Sequence, residues 1–410
     1  MRILYSCLIR FYGLAALIAA IFNQKARKWV KGRISLFHKL RLGINGDDII
    51  WIHCSSVGEF EQGLPIAKSL KRQHPRYKIL LTFFSPSGFE AVIDSESIDF
   101  IFYIPLDTRR NAKKFIEIVR PKLAIFVKND FWFNHLSELN DKNIPTIYIS
   151  VFLSRNHFLF KGYAIWFRKI LSQITHLYVQ NVGSKKLLSK IDIPQVSVVG
   201  DTRIDRVQEK LDIAKEYPAI SKWINGRKIV VAGSVYGQDT KLLSQLIKKN
   251  KDVLFIIAPH FVNDKNINRI RKHLGTGALR YSRSKSRIND QEQVVLLDTL
   301  GDLYSLYRYA TFVYIGGGFN SDQIHNIQEP ASFGKPIIIG PNYDKFNEAI
   351  ELVKLGGAFT IKDTESLEIA FTRLNHDKKL YIESSSICKE YINKNIGATK
   401  AIMTSIDYLL

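Results

Sequence analysis

At 410 residues, 46% hydrophobic, 12% aromatic and 24% charged, the chain excludes extended disorder and is too long for one ordinary core. Fifty-nine Lys and Arg against 38 Asp and Glu leave a net charge of +21, which favours anionic partners: phosphorylated substrates or an anionic membrane surface. The excess is dispersed and no finger, helix-turn-helix or RNA-binding signature accompanies it, so nucleic acid is not an expected partner.

Phe11 to Phe22 is an apolar run (FYGLAALIAAIF), preceded by Arg10 and followed by a basic tract of Lys25, Arg27, Lys28, Lys31, Arg33, Lys39 and Arg41. Extended back to Leu4 the segment approaches ~20 residues but contains Arg10, which is marginal for a spanning helix. No small-residue cleavage site is evident, so a removed signal peptide is not expected. Residues 1–33 are predicted to form a monotopic or weakly inserted anchor, its basic tract on anionic headgroups at the cytoplasmic side of a membrane. Three scattered cysteines (Cys7, Cys54, Cys388) form no disulfide framework or zinc motif and fit a reducing compartment.

From residue 49 apolar, β-prone runs alternate with helix-length amphipathic segments. Strands are predicted at Ile49–His53, Lys78–Phe83, Phe100–Ile104, Lys122–Val127, Pro145–Val151, Leu177–Gln180 and Val196–Val199. Helices are predicted at Glu61–Gln73, Ser87–Ser95, Asn111–Val119 and Tyr163–Ile174. A polar helical stretch at Arg206–Asn225 separates this series from a second one. That series has strands at Lys228–Ala232, Val253–Ala258, Val294–Leu297, Phe312–Ile315 and Pro336–Ile339, and helices at Asp239–Asn250 and Asp264–His273. The rhythm predicts an α/β fold of two Rossmann-like domains facing across a cleft, over 34–205 and 206–398. A last helix over 399–410 is expected to cross back to the first domain.

The first strand breaks into Cys54-Ser55-Ser56-Val57-Gly58-Glu59. Ligands of open α/β sheets bind beyond the carboxyl ends of the strands, so Glu59 is a candidate general base there. The plainer alternative makes Ser55 or Ser56 a helix cap and Glu59 a favourable first-turn charge; the two roles are compatible. In the second domain, small-residue loops follow the strands: Ala232-Gly233-Ser234, Ala258-Pro259-His260, Asp298-Thr299-Leu300-Gly301-Asp302 and Gly316-Gly317-Gly318. Glycine allows close backbone approach, and helix amino ends offer N–H groups to a phosphate. None of the loops makes the G-x-G-x-x-G dinucleotide fingerprint. His325-Asn326-Ile327-Gln328-Glu329-Pro330 places Glu329 at a helix start, where it can accept two hydrogen bonds from a ribose diol. A capping glutamate beside a polar loop histidine is the alternative.

Across roughly residues 10–400 the chain resembles the 3-deoxy-D-manno-octulosonic acid (Kdo) transferases, membrane-bound enzymes of GT-B fold. The motifs that carry the resemblance are Ser55-Ser56-Val57-Gly58-Glu59, Ser85-Pro86-Ser87-Gly88, Pro105-Leu106-Asp107, Phe131-Trp132-Phe133-Asn134 and Leu153-Ser154-Arg155. They continue with Val199-Gly200-Asp201, Ala232-Gly233-Ser234, Asp298 to Leu303, Gly316-Gly317, His325-Asn326 with Glu329-Pro330, and Gly340-Pro341. The resemblance implies inverting transfer of Kdo from CMP-Kdo to a phosphorylated, acylated glucosamine disaccharide, the lipid A precursor. It implies Glu59 as base and Asp130 as a second acidic residue, with Ser55, Ser56, Gly58 and Ser85 on the acceptor side. The CMP contacts it implies are Gly233, Ser234, Pro259, His260, Gly301, Asp302, Gly317, His325, Asn326 and Glu329.

This chain departs from the family pattern at Lys128-Asn129-Asp130, where two glutamates are usual, at His260-Phe261, where Arg-His is often found, and at Ser321-Asp322-Gln323-Ile324, where an arginine often precedes His-Asn. No D-x-D pair ends a strand and no His/carboxylate group has metal-ligand spacing, so neither a cofactor nor an active-site metal is expected. Two alternatives keep the fold: a membrane-associated transferase using a UDP-sugar, and a membrane-docked binding protein without activity.

Overall fold

Seven short runs of buried, β-branched and aromatic residues build each of two parallel sheets. The computed structural model describes the chain apart from residues 1, 45, 92–95, 275–277, 285–287, 289–290 and 322. It divides into two units: Met1–Asp205 with Gly397–Leu410, and Arg206–Ile396.

In the first unit the strands are β1 (Ile49–Cys54), β2 (Lys78–Phe83), β3 (Phe100–Tyr103), β4 (Leu123–Val127), β5 (Thr146–Val151), β6 (His176–Val179) and β7 (Val196–Val198), in the order β3-β2-β1-β4-β5-β6-β7. In the second they are β8 (Ile229–Val235), β9 (Leu254–Pro259), β10 (Ala278–Arg280), β11 (Val294–Leu296), β12 (Phe312–Ile315), β13 (Ile337–Ile339) and β14 (Ala358–Thr360), in the order β10-β11-β9-β8-β12-β13-β14. The ladders of the described strands are parallel, with His53 opposite both Thr82 and Phe126, and Ile315 opposite Gly233. Strand order reverses beside β1 and β4 in one sheet and beside β8 and β12 in the other. Those are the switch points where such sheets bind ligands.

Both faces of the first sheet are covered, which explains why β1 reads as an unbroken apolar run with all six residues buried. Trp51, Phe115, Phe126 and Tyr148 pack on one face; Ile50, Ile52, Ile66 and Leu81 pack on the other. The helix Ala398–Asp407 belongs to this second face through Ile402, Met403 and Ile406, and Gly397 and Thr399 donate backbone N–H groups to Asp205.

The amino terminus forms α1 (Arg2–Phe22), α2 (Gln24–Arg33) and α3 (Leu36–Gly43). Ile3–Phe22 is long and apolar enough to cross a membrane, with mean hydropathy 1.8. One side of α1 packs on the first unit: Tyr5 against Phe133 and Trp166, and Tyr12 against Trp29 and Phe84. The other side leaves Leu8, Phe11, Leu14, Leu17, Ile18 and Ile21 exposed. A helix gripped along one side and apolar along the other suits membrane association.

Several elements differ from the sequence expectation. α4 (Val57–Gln73) begins four residues before Glu61, because Ser56 caps it. The helix read at Ser87–Ser95 is observed over Pro86–Ala91, and residues 92–95 lie outside the described residues, as does Asp322. Tyr163–Ile174 is not one helix but a 3-10 turn at Gly162–Ala164 followed by Ile165–Leu171. The polar stretch at Arg206–Asn225 is two helices, Thr202–Asp212 and Pro218–Ile224; a proline at the first position of the second suits its fixed φ.

Candidate functional site

In the first unit the loops after β1, β2 and β4 meet around Glu59. Ser56 is the amino-terminal cap of α4 and its Oγ accepts from the Glu59 N–H at 3.4 Å, so Glu59 is at the third helical position. The carboxylate turns back and accepts the Ser55 backbone N–H. The first-turn charge of α4 and the candidate base are therefore the same residue. Gly58 is exposed and open space faces it, while Ser85 N donates to Ser55 O at 3.0 Å and Ser85 Oγ pairs with Ser87 Oγ at 2.7 Å.

Lys128 follows β4 with φ +60 and donates its N–H to Ile149 O at 2.9 Å. Its ammonium interacts with both Glu59 and Asp130. Burial raises the Glu59 pKa above the usual carboxylate range, against the opposing pull of Lys128 and the Ser55 and Ser56 N–H groups. Burial and then the Glu59 charge push Asp130 well above that range, again opposed by Lys128. Among the described residues the buried Oδ2 of Asp130 makes no hydrogen bond, whereas the Glu59 carboxylate accepts the Ser55 N–H, a difference that favours the ionised form at Glu59.

Sequence reasoning assigned no role to His53 or Trp132, and these complete the cluster. His53 is fully buried on β1; its Nδ1 contacts Thr82 Oγ1 at 2.9 Å and its Nε2 lies 3.9 Å from Asp130 Oδ2. Trp132 Nε1–H donates to His53 Nε2 at 3.0 Å. Burial brings the His53 pKa down to about 3, so the imidazole is neutral and carries its proton on Nδ1. The available signal was a histidine inside an otherwise apolar strand.

Asp107 was identified only as part of a motif. It accepts from the N–H groups of Asn134 (3.0 Å) and His135 (2.9 Å), from His135 Nδ1 (2.6 Å) and from the Tyr5 hydroxyl (2.5 Å). It therefore anchors the start of the helix Phe133–Asp141, directly after Trp132.

In the second unit the loops after β8, β9 and β12 bring three aromatic rings into a stack. Tyr236 and His260 are 4.6 Å apart at 17°, and His260 and His325 are 4.3 Å apart at 24°. The Tyr236 hydroxyl and His325 Nε2 are 3.0 Å apart. Tyr236 is a residue the sequence reading missed. Pro259 ends β9, and the His260 N–H donates to Val235 O at 3.1 Å.

The expected phosphate loops are less open than their glycines implied. A Cβ on Gly233 would fall 2.1 Å from the Tyr307 hydroxyl, so the space it leaves serves packing. Gly317 (φ +92) does need glycine, because a Cβ there would meet Gln323 O at 2.5 Å. Its N–H, however, already donates to Asp239 Oδ2 at 3.1 Å. The same oxygen caps the helix Gly237–Lys249 by accepting from Tyr236 N at 2.8 Å. A carboxylate thus occupies the helix start where a phosphate was anticipated.

Ser234 adopts φ +55. Gly301 (φ +85) faces open space, and Asp302 accepts from Tyr217 Oη at 2.6 Å and Thr299 Oγ1 at 2.5 Å. Thr299 thus bonds the side chain of Asp302, which is itself the residue before the helix Leu303–Leu306. Asn326 Oδ1 accepts from Gln328 N at 2.9 Å. Glu329 lies in the first turn of the helix Gln328–Ser332, 3.6 Å from Lys210 Nζ. Among the described residues no group of three or more His, Cys, Asp or Glu side chains could hold a metal ion.

A family model described as 3-deoxy-D-manno-octulosonic-acid transferase (kdotransferase) matches residues 28–206. The 3-deoxy-D-manno-octulosonic acid transferase of Aquifex aeolicus is 29% identical over 337 residues, covering 80% of this chain and 87% of its own. A bifunctional glycosyltransferase/methyltransferase of Fusobacterium nucleatum is 26% identical over 89% of this chain, which spans only 59% of that relative's length. Among solved structures, the UDP-GlcNAc 2-epimerase of Neisseria meningitidis bound to UDP-GlcNAc superposes with a TM-score of 0.62 at 19% identity, over 88% of this chain and 99% of its own; it shares the fold.

Proposed function

We propose that this chain, which is similar to the Kdo transferases of lipopolysaccharide biosynthesis, moves Kdo from CMP-Kdo to the phosphorylated, acylated glucosamine disaccharide that becomes lipid A, with Glu59 as general base. The observation that carries this reading is the asymmetry of the two carboxyls. Glu59 is held by the Ser55 N–H and the cap of α4 and opposed by Lys128, whereas Asp130 is buried with an oxygen that makes no hydrogen bond.

In the proposed reaction the acceptor hydroxyl gives its proton to Glu59 as its oxygen bonds to the anomeric carbon of Kdo. The bond from that carbon to the phosphate oxygen breaks, and CMP leaves with the electron pair. Attack opposite the leaving group inverts the anomeric centre. Asp130, protonated, is placed to donate a hydrogen bond rather than to compete for the proton. On the donor side, the Tyr236–His260–His325 stack offers a π-face to the cytosine base, and Glu329 at a helix start suits the ribose hydroxyls. The reaction is proposed to run on side chains and backbone N–H groups without a cofactor or an active-site metal.

The exposed side of α1 and the basic residues that follow it support work at the cytoplasmic face of the inner membrane, where such an acceptor is embedded. The test is product mass spectrometry with purified full-length protein, lipid A precursor, and either CMP-Kdo or a UDP-sugar. A mass gain of one or more Kdo units from CMP-Kdo alone supports the reading. Transfer from the UDP-sugar, or from neither, contradicts it.

A further inference from the structure

The first unit holds an apolar groove of about 460 Å³ along the flank of α1. Ala15, Ala16 and Ala19 of α1 line it together with Trp29, Phe84 and Ser85. Between Tyr12 and Asn23, the two α1-side residues that bound it, a helix rises about 16 Å. The groove is therefore elongated rather than suited to a single ring.

Two observations indicate what fills it. The alanines adjoin Leu14, Leu17 and Ile18, which are exposed on the same helix, so the groove opens toward the apolar side of α1. At Ser85 it reaches the loop whose N–H donates to Ser55 O, one residue from the Ser56 cap of Glu59.

We propose that this groove binds one fatty-acyl chain of the acceptor. The small side chains of α1 leave room for methylene groups, and Trp29 and Phe84, packed edge to face at 5.7 Å, supply adjoining apolar contact. The groove then carries a chain from the membrane-facing helix toward the loop of Glu59 and so sets which hydroxyl the base meets. This rests on the acceptor class given under the proposed function.

The test uses the full-length protein in detergent, its Ala16→Leu and Ala16→Trp variants, and two acceptors: the acylated phosphorylated disaccharide and the same disaccharide stripped of acyl chains. A graded loss in kcat/KM for the acylated acceptor is expected, at least tenfold for A16W, with kcat/KM for the stripped acceptor unchanged. The unchanged reaction also shows that the variants fold. Equal effects on both acceptors, or none on the acylated one, overturn the proposal. Binding of the acylated disaccharide without donor separates the two claims. If wild-type protein transfers nothing yet binds it in an A16W-sensitive way, the groove stands and the transferase reading falls. If A16W changes binding to vesicles of anionic phospholipid but not to the disaccharide, the occupant is bulk lipid and the proposal fails.

Discussion

The indole of Trp132 donates its Nε1–H to Nε2 of His53 across 3.0 Å, joining two residues 79 positions apart in the chain. That bond leaves the Nδ1 proton of a neutral imidazole facing Thr82 Oγ1, which also accepts from Trp51 Nε1 at 2.8 Å. Both ring nitrogens of His53 are thereby satisfied inside the sheet, beside Asp130. Replacing Trp132 by Phe keeps the ring that packs on Phe84 at 4.9 Å but leaves His53 Nε2 only the longer contact to Ser55 Oγ at 3.4 Å. The expected cost is about 1–3 kcal/mol. Urea unfolding of W132F against wild type reads it, and an unchanged midpoint would sink the bond's structural importance.

Lys128 should set the working pH. Its ammonium stabilises the ionised form of Glu59 against burial, so removing the charge raises the Glu59 pKa further. The base acts only when ionised, and activity is therefore lost as pH falls through that pKa. Lys128→Met should move the acid limb of kcat/KM to higher pH, and Lys128→Arg should bring it back. A limb that stays in place in K128M speaks against Glu59 and Lys128 acting together.

Asp130 should tolerate loss of its charge. Burial and the neighbouring Glu59 keep its carboxyl well above the usual range, so its working form is the protonated one. Asp130→Asn mimics that form and is expected to retain activity within about tenfold, since one hydrogen-bond donor survives. Measured kcat for D130N lower than wild type by a thousandfold would assign the ionised carboxylate a direct role instead.

His325 closes the ring stack of the second unit and pairs with the Tyr236 hydroxyl. His325→Ala removes one stacking face and leaves that hydroxyl without this partner. CMP affinity by calorimetry is expected to fall at least tenfold, in line with about 1–3 kcal/mol for a base on an aromatic face. Equal CMP affinity in H325A would place the nucleotide elsewhere.

The chain pattern made some of this legible and hid the rest for identifiable reasons. A strand buried on both faces has no choice but to be apolar, so β1 and β4 stand out in the sequence, as does the switch to small residues at Ser55-Ser56. Ser56 as cap and Glu59 in the first turn follow from local chemistry alone. The start of α4 was placed late because Gly58 weakens the helical pattern there. β10 and β14 have three residues each, too few to show a period.

What could not be read were contacts between distant residues. Trp132 with His53 and Tyr5 with Asp107 are each single side-chain bonds across 79 and 102 positions. Lys128 illustrates the point differently: in sequence it is a departure from the family pattern, whereas in space it is the cation beside both carboxyls. Gly317 was legible as a glycine-requiring turn, but not that Asp239 already holds its N–H.

The central claim is that Glu59 takes the acceptor proton. The most direct measurement is the single-turnover rate of Kdo transfer from CMP-Kdo to lipid A precursor by Glu59→Gln and wild-type protein, both saturated with substrate. Glutamine keeps the size and can still accept the Ser55 N–H but cannot take a proton, so a loss of about 10²–10⁴-fold with donor affinity unchanged is the expected result. E59Q transferring Kdo within about threefold of wild type would contradict the account and leave Glu59 only as the first-turn charge of α4.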